Sequence, residues 1–275
     1  NIVEPQNGCI CCTIQGDLQK TMMDLVDKMS KGDISYFDKV IIETTGLADP
    51  VPIIHTLISS MDLQRIYTLD GVITVVDATN GEKTLDLQPE AVKQVALAER
   101  IIISKIDLIE KDKEWSLENR LRAINPSTKI IKSSFGKVSI SDLINLAAYD
   151  PLSKSRDVKE WLASESMDSH HQHDHGHHVN VNRHDKNIEA FSITSDKPVS
   201  MIAFGLFKDL LMAQMGPDLL RLKGIINIEG KNRPAVIHGV QHIFHPVHWL
   251  KEWPDSDRQT KLVFITSCLL YTSPS

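Results

Sequence analysis

Apolar residues recur along this 275-residue chain in two alternating rhythms. From Asp17 onward, Leu18, Met22, Leu25, Val26 and Met29 return at helical spacing, so a helix is predicted, closed by Gly32 and Asp33. Val40, Ile41 and Ile42 form a short β-branched run between polar residues and read as a buried strand that stops at Glu43. Pro50 and Pro52 open a second helix through Ile53, Ile54, Leu57 and Ile58. Residues 72–76 predict the next strand, ending at Asp77, and residues 89–100 a helix. A strand over 101–103, a loop over 104–107, a helix over 112–124 and a strand over 129–131 follow. A helix over 139–148 takes Ser139 as its cap.

Strands that alternate with helices, each a near-continuous apolar run, predict a parallel α/β sheet covered on both faces. In such sheets ligands bind beyond the carboxyl ends of the strands. That rule marks Glu43, Asp77 and residues 104–107 by position alone. The rhythm then stops. Over residues 151–186 Ser, Asp and His dominate, which predicts a flexible linker. Strands over 188–194, 224–229, 235–240 and 261–265, with a helix over 208–215, predict a small α+β domain at 187–266.

The composition, 41% hydrophobic and 24% charged, is that of an ordinary globular protein. A net charge of −6 argues against nucleic acid as the main partner, because phosphate binding needs a basic face. No apolar run reaches the length of a membrane span, and no secretory signal opens the chain. The expected location is cytoplasmic, with no membrane partner. Of the four cysteines, three fall within four positions, which does not make a disulfide framework. The chain opens on Asn1 in what reads as mid-domain, so it is expected to be N-terminally incomplete. Residues 267–275 fit no preceding element and are expected to be a non-native tail.

The candidate chemistry begins at Cys9, Cys11 and Cys12. Thiolates are soft ligands for zinc and similar ions. The helix that follows would lower nearby thiol pKa values and favour the anion. Cys9 and Cys11 share a face of an extended backbone. Three thiols are one short of a closed tetrahedral zinc shell, which suits a site that passes its metal on. His170, His171, His173, His175, His177 and His178, with His184 beyond, place seven imidazoles in fifteen residues. Such a tract is compositionally a metal binder, and a plain solvated linker is the alternative. His238, His242, His245 and His248 are more simply structural or surface residues.

The tetrapeptide Ser104-Lys105-Ile106-Asp107 suits guanine. One carboxylate, Asp107, can accept from both N1–H and the N2 amino group, a donor pair adenine lacks, and the Lys105 stem can lie along the base. Glu43, at the end of a strand, can hold a metal-bound water near a terminal phosphate, and Gly46 lets the backbone approach it. No Gly-x-x-x-x-Gly-Lys-Ser/Thr phosphate loop occurs in the 275 residues.

With Gly8-Cys9-Ile10-Cys11-Cys12, Glu43-Thr44-Thr45-Gly46-Leu47-Ala48-Asp49-Pro50 and Ser104-Lys105-Ile106-Asp107 in order, the chain resembles the CobW-like family of metallochaperone GTPases. These are relatives of the urease and hydrogenase nickel-insertion GTPases. The His-rich linker and Arg221-Leu222-Lys223-Gly224 in the last domain also match. The resemblance implies a P-loop NTPase-like parallel sheet, here lacking its first strand and phosphate loop, over residues 1–150. A His-rich linker at 151–186 and a CobW C-terminal-like domain at 187–266 follow. It implies that GTP and Mg2+ act with Zn2+ or another transition metal, which is handed to a client metalloprotein. Cys9, Cys11 and Cys12 would be metal ligands, Glu43 would serve the magnesium and water side, and Lys105 and Asp107 the guanine. GTP hydrolysis is expected of the intact parent, and this chain, without the phosphate loop, is expected to be inactive. A metal buffer without nucleotide dependence is the other reading, and homo-oligomerisation is left open.

Overall fold

Helix α1 (Thr13–Lys31) stops where glycine makes stopping inexpensive. Gly32 sits at φ +79°, its N–H donates to the Met29 carbonyl at 3.1 Å, and the Asp33 N–H reaches the Lys28 carbonyl at 2.9 Å. The computed structural model describes residues 13–144, 146 and 188–267, apart from 217, 242, 245, 246 and 255. The chain forms two compact units, residues 1–69 and 70–275, each described by itself. In the first, α2 (Val51–Ser59) starts beside Asp49, whose side chain accepts from the Val51 N–H at 2.9 Å. The short α3 (Met61–Gln64) is capped by Ser60, and buries Leu63. The Tyr67 hydroxyl donates to the Met22 carbonyl at 2.9 Å and ties α1 to the end of the unit.

The strand expected at residues 40–42 does not form. Among the described residues no neighbour supplies a ladder to this segment, and Ile41 is 88% exposed. A β-branched run becomes a strand only when another strand takes its N–H and C=O groups.

The second unit opens with the parallel sheet: β1 (Ile73–Asp77), α4 (Gly81–Leu87), α5 (Pro89–Leu97), β2 (Arg100–Ser104), α6 (Lys111–Ile124) and β3 (Lys129–Lys132). The order is β1-β2-β3, with Asp77 opposite Ser104 and Ile101 opposite Ile130, so the carboxyl ends of β1 and β2 coincide. Residues 101–103 are fully covered, as expected for an apolar run. β1 departs from that expectation: its burial alternates and Val75 is 63% exposed. The helix expected over 139–148 appears, among the described residues, only as a 3-10 turn over Ile140–Asp142. The Ser139 hydroxyl bonds to the Ser141 hydroxyl instead of capping, and the Asp142 N–H closes a 3-10 turn onto the Ser139 carbonyl at 3.0 Å.

The remaining elements are β4 (Ile188–Ser195), α7 (Met201–Met215), β5 (Leu219–Ile226), β6 (Ala235–Val240), β7 (Ile243–Phe244), β8 (His248–Trp249) and β9 (Thr260–Ser267). They form an antiparallel sheet in the order β4-β9-β5-β6-β7, with β8 paired to β6. The helix contains the expected 208–215 and begins at Met201, where Ser200 caps it, its hydroxyl accepting from the Ala203 N–H at 3.1 Å. The strand expected at 224–229 lies earlier, at β5, since Arg221 and Lys223 interrupt the apolar run although the strand is buried. One face of this sheet sends Leu220 and Ile265 into the core shared with Val92, Val95, Leu117 and Leu121. The other holds Leu222, Ile226 and Phe264 against Phe204 and Leu211 of α7. The antiparallel sheet is therefore the middle layer between α5 and α6 on one side and α7 on the other.

A charge cluster fastens these layers. Glu99, between α5 and β2, is buried, with one carboxylate oxygen on the Arg221 guanidinium and the other on the Lys223 ammonium. Arg221 also donates to the Ala98 carbonyl at 2.7 Å. Burial alone would raise the Glu99 pKa. The charges of Arg221, Lys223 and Arg100 outweigh it and hold the carboxyl at about 2 against an ordinary 4.5. A depressed folded-state pKa gives stability that is full above about pH 4.5 and fades as pH falls toward about 2, amounting to no more than about 3 kcal/mol. Glu99→Gln should destabilise the protein at neutral pH by about 3 kcal/mol, since two buried cations lose their counter-charge. In urea denaturation the variant should also lose less stability than wild type as the buffer is taken from neutral to about pH 3.

Candidate nucleotide-binding site

The tip of β2 is shaped by one unusual residue. Lys105 follows the strand in the left-handed region, φ 59° and ψ 33°, where residues with a Cβ are disfavoured. The backbone then closes a single 3-10 turn, Ile106–Leu108, with the Leu108 N–H on the Lys105 carbonyl at 3.1 Å. This turn presents Asp107 to solvent, and among the described residues its carboxylate has no hydrogen-bond or ion-pair partner.

The neighbouring strand holds the turn in place. Asp77, at the end of β1, accepts from the Lys105 ammonium at 2.7 Å, from the Thr79 N–H at 2.8 Å and hydroxyl at 2.6 Å, and from the Asn80 amide at 3.4 Å. Partial burial pushes the Asp77 carboxyl up, but the bonds from Lys105, Thr79 and Asn80 outweigh it and keep the group well below the usual carboxylate range. Asp77 is thus both a local turn former and the anchor of Lys105. Ser104 works between the strands: its hydroxyl donates to the Val76 carbonyl at 3.2 Å, and its carbonyl accepts from the Ala78 N–H at 2.9 Å.

Ser133, just past β3, escaped the sequence reading. It is buried, its N–H donates to the Ile103 carbonyl at 2.8 Å, and its carbonyl accepts from Ile106 at 3.4 Å. Its hydroxyl donates to the Lys137 carbonyl at 3.2 Å. Ser133 therefore grips both sides of the Lys105 turn. The available signal was its position at the end of a third parallel strand. Ser104, Lys105 and Asp107 are brought together with Asp77 and Ser133 at the carboxyl ends of β1, β2 and β3.

Glu43 and Gly46 belong to the first unit. Glu43 is exposed, and the Ala48 N–H closes a turn onto the Thr45 carbonyl at 3.0 Å. A Cβ at Gly46 would meet nothing within 4 Å, and its φ is not left-handed, so the glycine answers to open space and not to a strained backbone. Cys9, Cys11, Cys12 and the histidines from His170 to His184 lie outside the described residues. Among the described residues no group of three or more His, Cys, Asp or Glu could hold a metal ion. His238 is a buried residue of β6. Among the described residues no helix is long and apolar enough to cross a membrane.

A three-stranded parallel sheet with an anchored, carboxylate-bearing turn at its carboxyl edge defines an α/β nucleotide-binding domain, here joined to an antiparallel one. The chain belongs to the CobW/HypB/UreG family: residues 1–132 match that family's nucleotide-binding domain, and residues 188–270 the cobalamin synthesis protein cobW C-terminal domain. It is 30% identical over 262 residues to the zinc chaperone YjiA of Escherichia coli, covering 94% of this chain and 75% of that protein. It is 30% identical to the zinc-regulated GTPase metalloprotein activator 1 of Saccharomyces cerevisiae, over 94% of this chain and 65% of the relative. To the zinc chaperone CobW of Pseudomonas aeruginosa the identity is 27%, over 96% and 70%. The crystal structure of Zn(II)-bound YjiA GTPase from E. coli superposes with a TM-score of 0.74 at 28% identity, covering 92% of this chain and 73% of that one.

If the left-handed backbone at Lys105 carries strain, Lys105→Gly should be more stable than Lys105→Ala by about 1 kcal/mol, because both lose the ammonium and only glycine relaxes the backbone. Equal denaturation midpoints for the two variants would show that the turn holds this conformation without cost.

Proposed function

We propose that this chain is the body of a GTP-dependent metal chaperone. In this reading the thiols of Cys9, Cys11 and Cys12 bind a soft divalent metal, zinc first. The guanine nucleotide governs its passage to a client metalloprotein. The observation that carries the reading is the free Asp107 carboxylate on its anchored turn, in a chain whose relatives are named zinc chaperones and GTPase activators of metalloproteins.

The residues fit the base end of the nucleotide. Asp107 is held in place to accept the two parallel donors of guanine, and it enters that pairing with no partner to give up among the described residues. Lys105, fixed at its ammonium by Asp77, presents its methylene stem as a flat apolar edge for the base. Ser104 and Ser133 keep the turn from moving when the base arrives. Glu43 is assigned to orient magnesium-bound water, and the open space at Gly46 leaves room for a phosphate. GTP, when bound, supplies the terminal phosphate whose loss marks the two states of the switch. We assign that hydrolysis to a parent protein that carries a phosphate-binding loop. The histidines from His170 to His178 are assigned an accessory role in collecting metal. Divisions at 1–150, 151–186 and 187–266 are kept as the domains of this reading.

In the parent, zinc affinity measured by competition with a chromogenic chelator should change about tenfold or more when a non-hydrolysable GTP analogue is present, the size of an ordinary coupling between two sites. Affinity that ignores the nucleotide would reduce the protein to a metal buffer. Asp107→Asn should weaken GTP by about tenfold to a hundredfold, the worth of hydrogen bonds to a charged group, and shift preference toward xanthine nucleotide. An unchanged preference would remove the guanine assignment.

A further inference from the structure

One face of α7 has no partner among the described residues. Its inward side chains, Phe204 and Leu211, are buried in the sheet core. On the outer face Ile202, Leu206 and Leu210, spaced four apart, are 78%, 60% and 58% exposed. Solvent-exposed apolar residues scattered singly need no explanation, but a stripe along one helix does.

The stripe runs into a basic hollow. Met201, at the first turn of α7, lines a cavity of about 290 Å³ together with Trp249 and the β5–β6 turn residues Lys231, Asn232 and Arg233. Lys231 and Arg233 are exposed, and among the described residues neither has an ion pair. In a chain of net charge −6, two cations with no ion pair among the described residues thus lie beside the apolar stripe.

We infer that this composite surface docks an acidic amphipathic helix of the client protein, with its apolar side chains on Ile202, Leu206 and Leu210 and a carboxylate between Lys231 and Arg233. The inference rests on the metal-chaperone reading and names its docking partner by chemistry. Charge complementarity selects an acidic segment. Area selects a transient partner: Met201 and the three stripe residues offer on the order of 500 Å² of apolar surface, against the roughly 800 Å² per partner of a stable complex. A carrier that must let its client go needs a contact of that smaller size.

The test uses two labelled synthetic amphipathic peptides of about 15 residues, long enough to form helix on a surface, with the same leucine stripe. One carries Glu at the flanking positions and the other Lys. Fluorescence anisotropy with the chain should show binding of the acidic peptide, weakened about tenfold by Leu206→Glu and by the double variant K231E/R233E. The basic peptide should bind the double variant and not the wild type. Both variants should melt with wild type, since the altered side chains are exposed. Absence of binding, equal binding of the two peptides, or acidic binding untouched by either variant overturns the proposal. So does light scattering that finds a wild-type dimer and a Leu206→Glu monomer, which would make the stripe a contact between copies of this chain. The assay contains neither zinc nor nucleotide, so its result is separate from the test of GTP-dependent zinc binding.

Discussion

The end of α5 has more polar groups to satisfy than a helix can satisfy by itself, and the rest of the second unit is arranged around satisfying them. The last carbonyls of a helix lack intrahelical donors. Here they are buried, and no left-handed glycine closes the helix. Side chains from the α6–β3 loop and from β5 take that part. The Asn125 amide, fully buried just past α6, donates to the carbonyls of Val95, Ala96 and Ala98 at 2.9, 3.2 and 3.0 Å. Thr128 adds a bond to Ala98 at 3.2 Å, and Arg221 reaches across from β5 to the same carbonyl. Glu99 then supplies the counter-charge for Arg221 and Lys223. An apolar replacement of such a cluster could be as stable. Charged, it holds α5, α6 and β5 in one arrangement only, because a shifted sheet would leave a buried charge unpaired.

The same strand that is rooted in this cluster ends in the Lys105 turn. β2 is five residues long, paired on both sides and buried through its middle, so its two ends keep a fixed relation. Charge is used differently at each end. At the root Glu99 is buried and paired to saturation. At the tip Lys105 and Asp77 form a half-exposed pair whose contribution to stability is small, while Asp107 has no hydrogen-bond or ion-pair partner among the described residues. The cluster at the root hides its charges, whereas the turn at the tip leaves the Asp107 carboxylate exposed.

Much of this could be read from the chain, and the exceptions have physical causes. Ile101 to Ile103 announced β2, and the chemistry of Ser104 to Asp107 pointed to its tip. The left-handed Lys105 and the grip of Ser133 could not be read, because they arise from contacts between strands and not from any residue's own preference. Val40 to Ile42 misled, since a propensity for strand says nothing about whether a partner strand is present. β5 was displaced for the opposite reason: Arg221 and Lys223 look like solvent-facing residues until Glu99, 122 and 124 positions earlier, is found to bury them. The cysteines and linker histidines carry their signal in composition, and their geometry lies outside the described residues.

The tetrapeptide Arg221-Leu222-Lys223-Gly224 shows how a recognisable string becomes a physical necessity. Alternation along a strand puts Arg221 and Lys223 on one face, toward Glu99, and Leu222 on the other, in the core beneath α7. The pairing of β5 with β9 shifts between Leu219 and Arg221, and this irregularity sets which face each charge takes. Gly224 closes the set. A Cβ there would lie 2.2 Å from Leu262 Cδ2 and 2.9 Å from the Lys261 carbonyl, so any side chain would force β9 away from β5. Widening that gap would tilt β5 and carry both cations off the Glu99 carboxylate. A close backbone approach between β5 and β9 thus bears on whether the buried charge at the base of β2 stays paired.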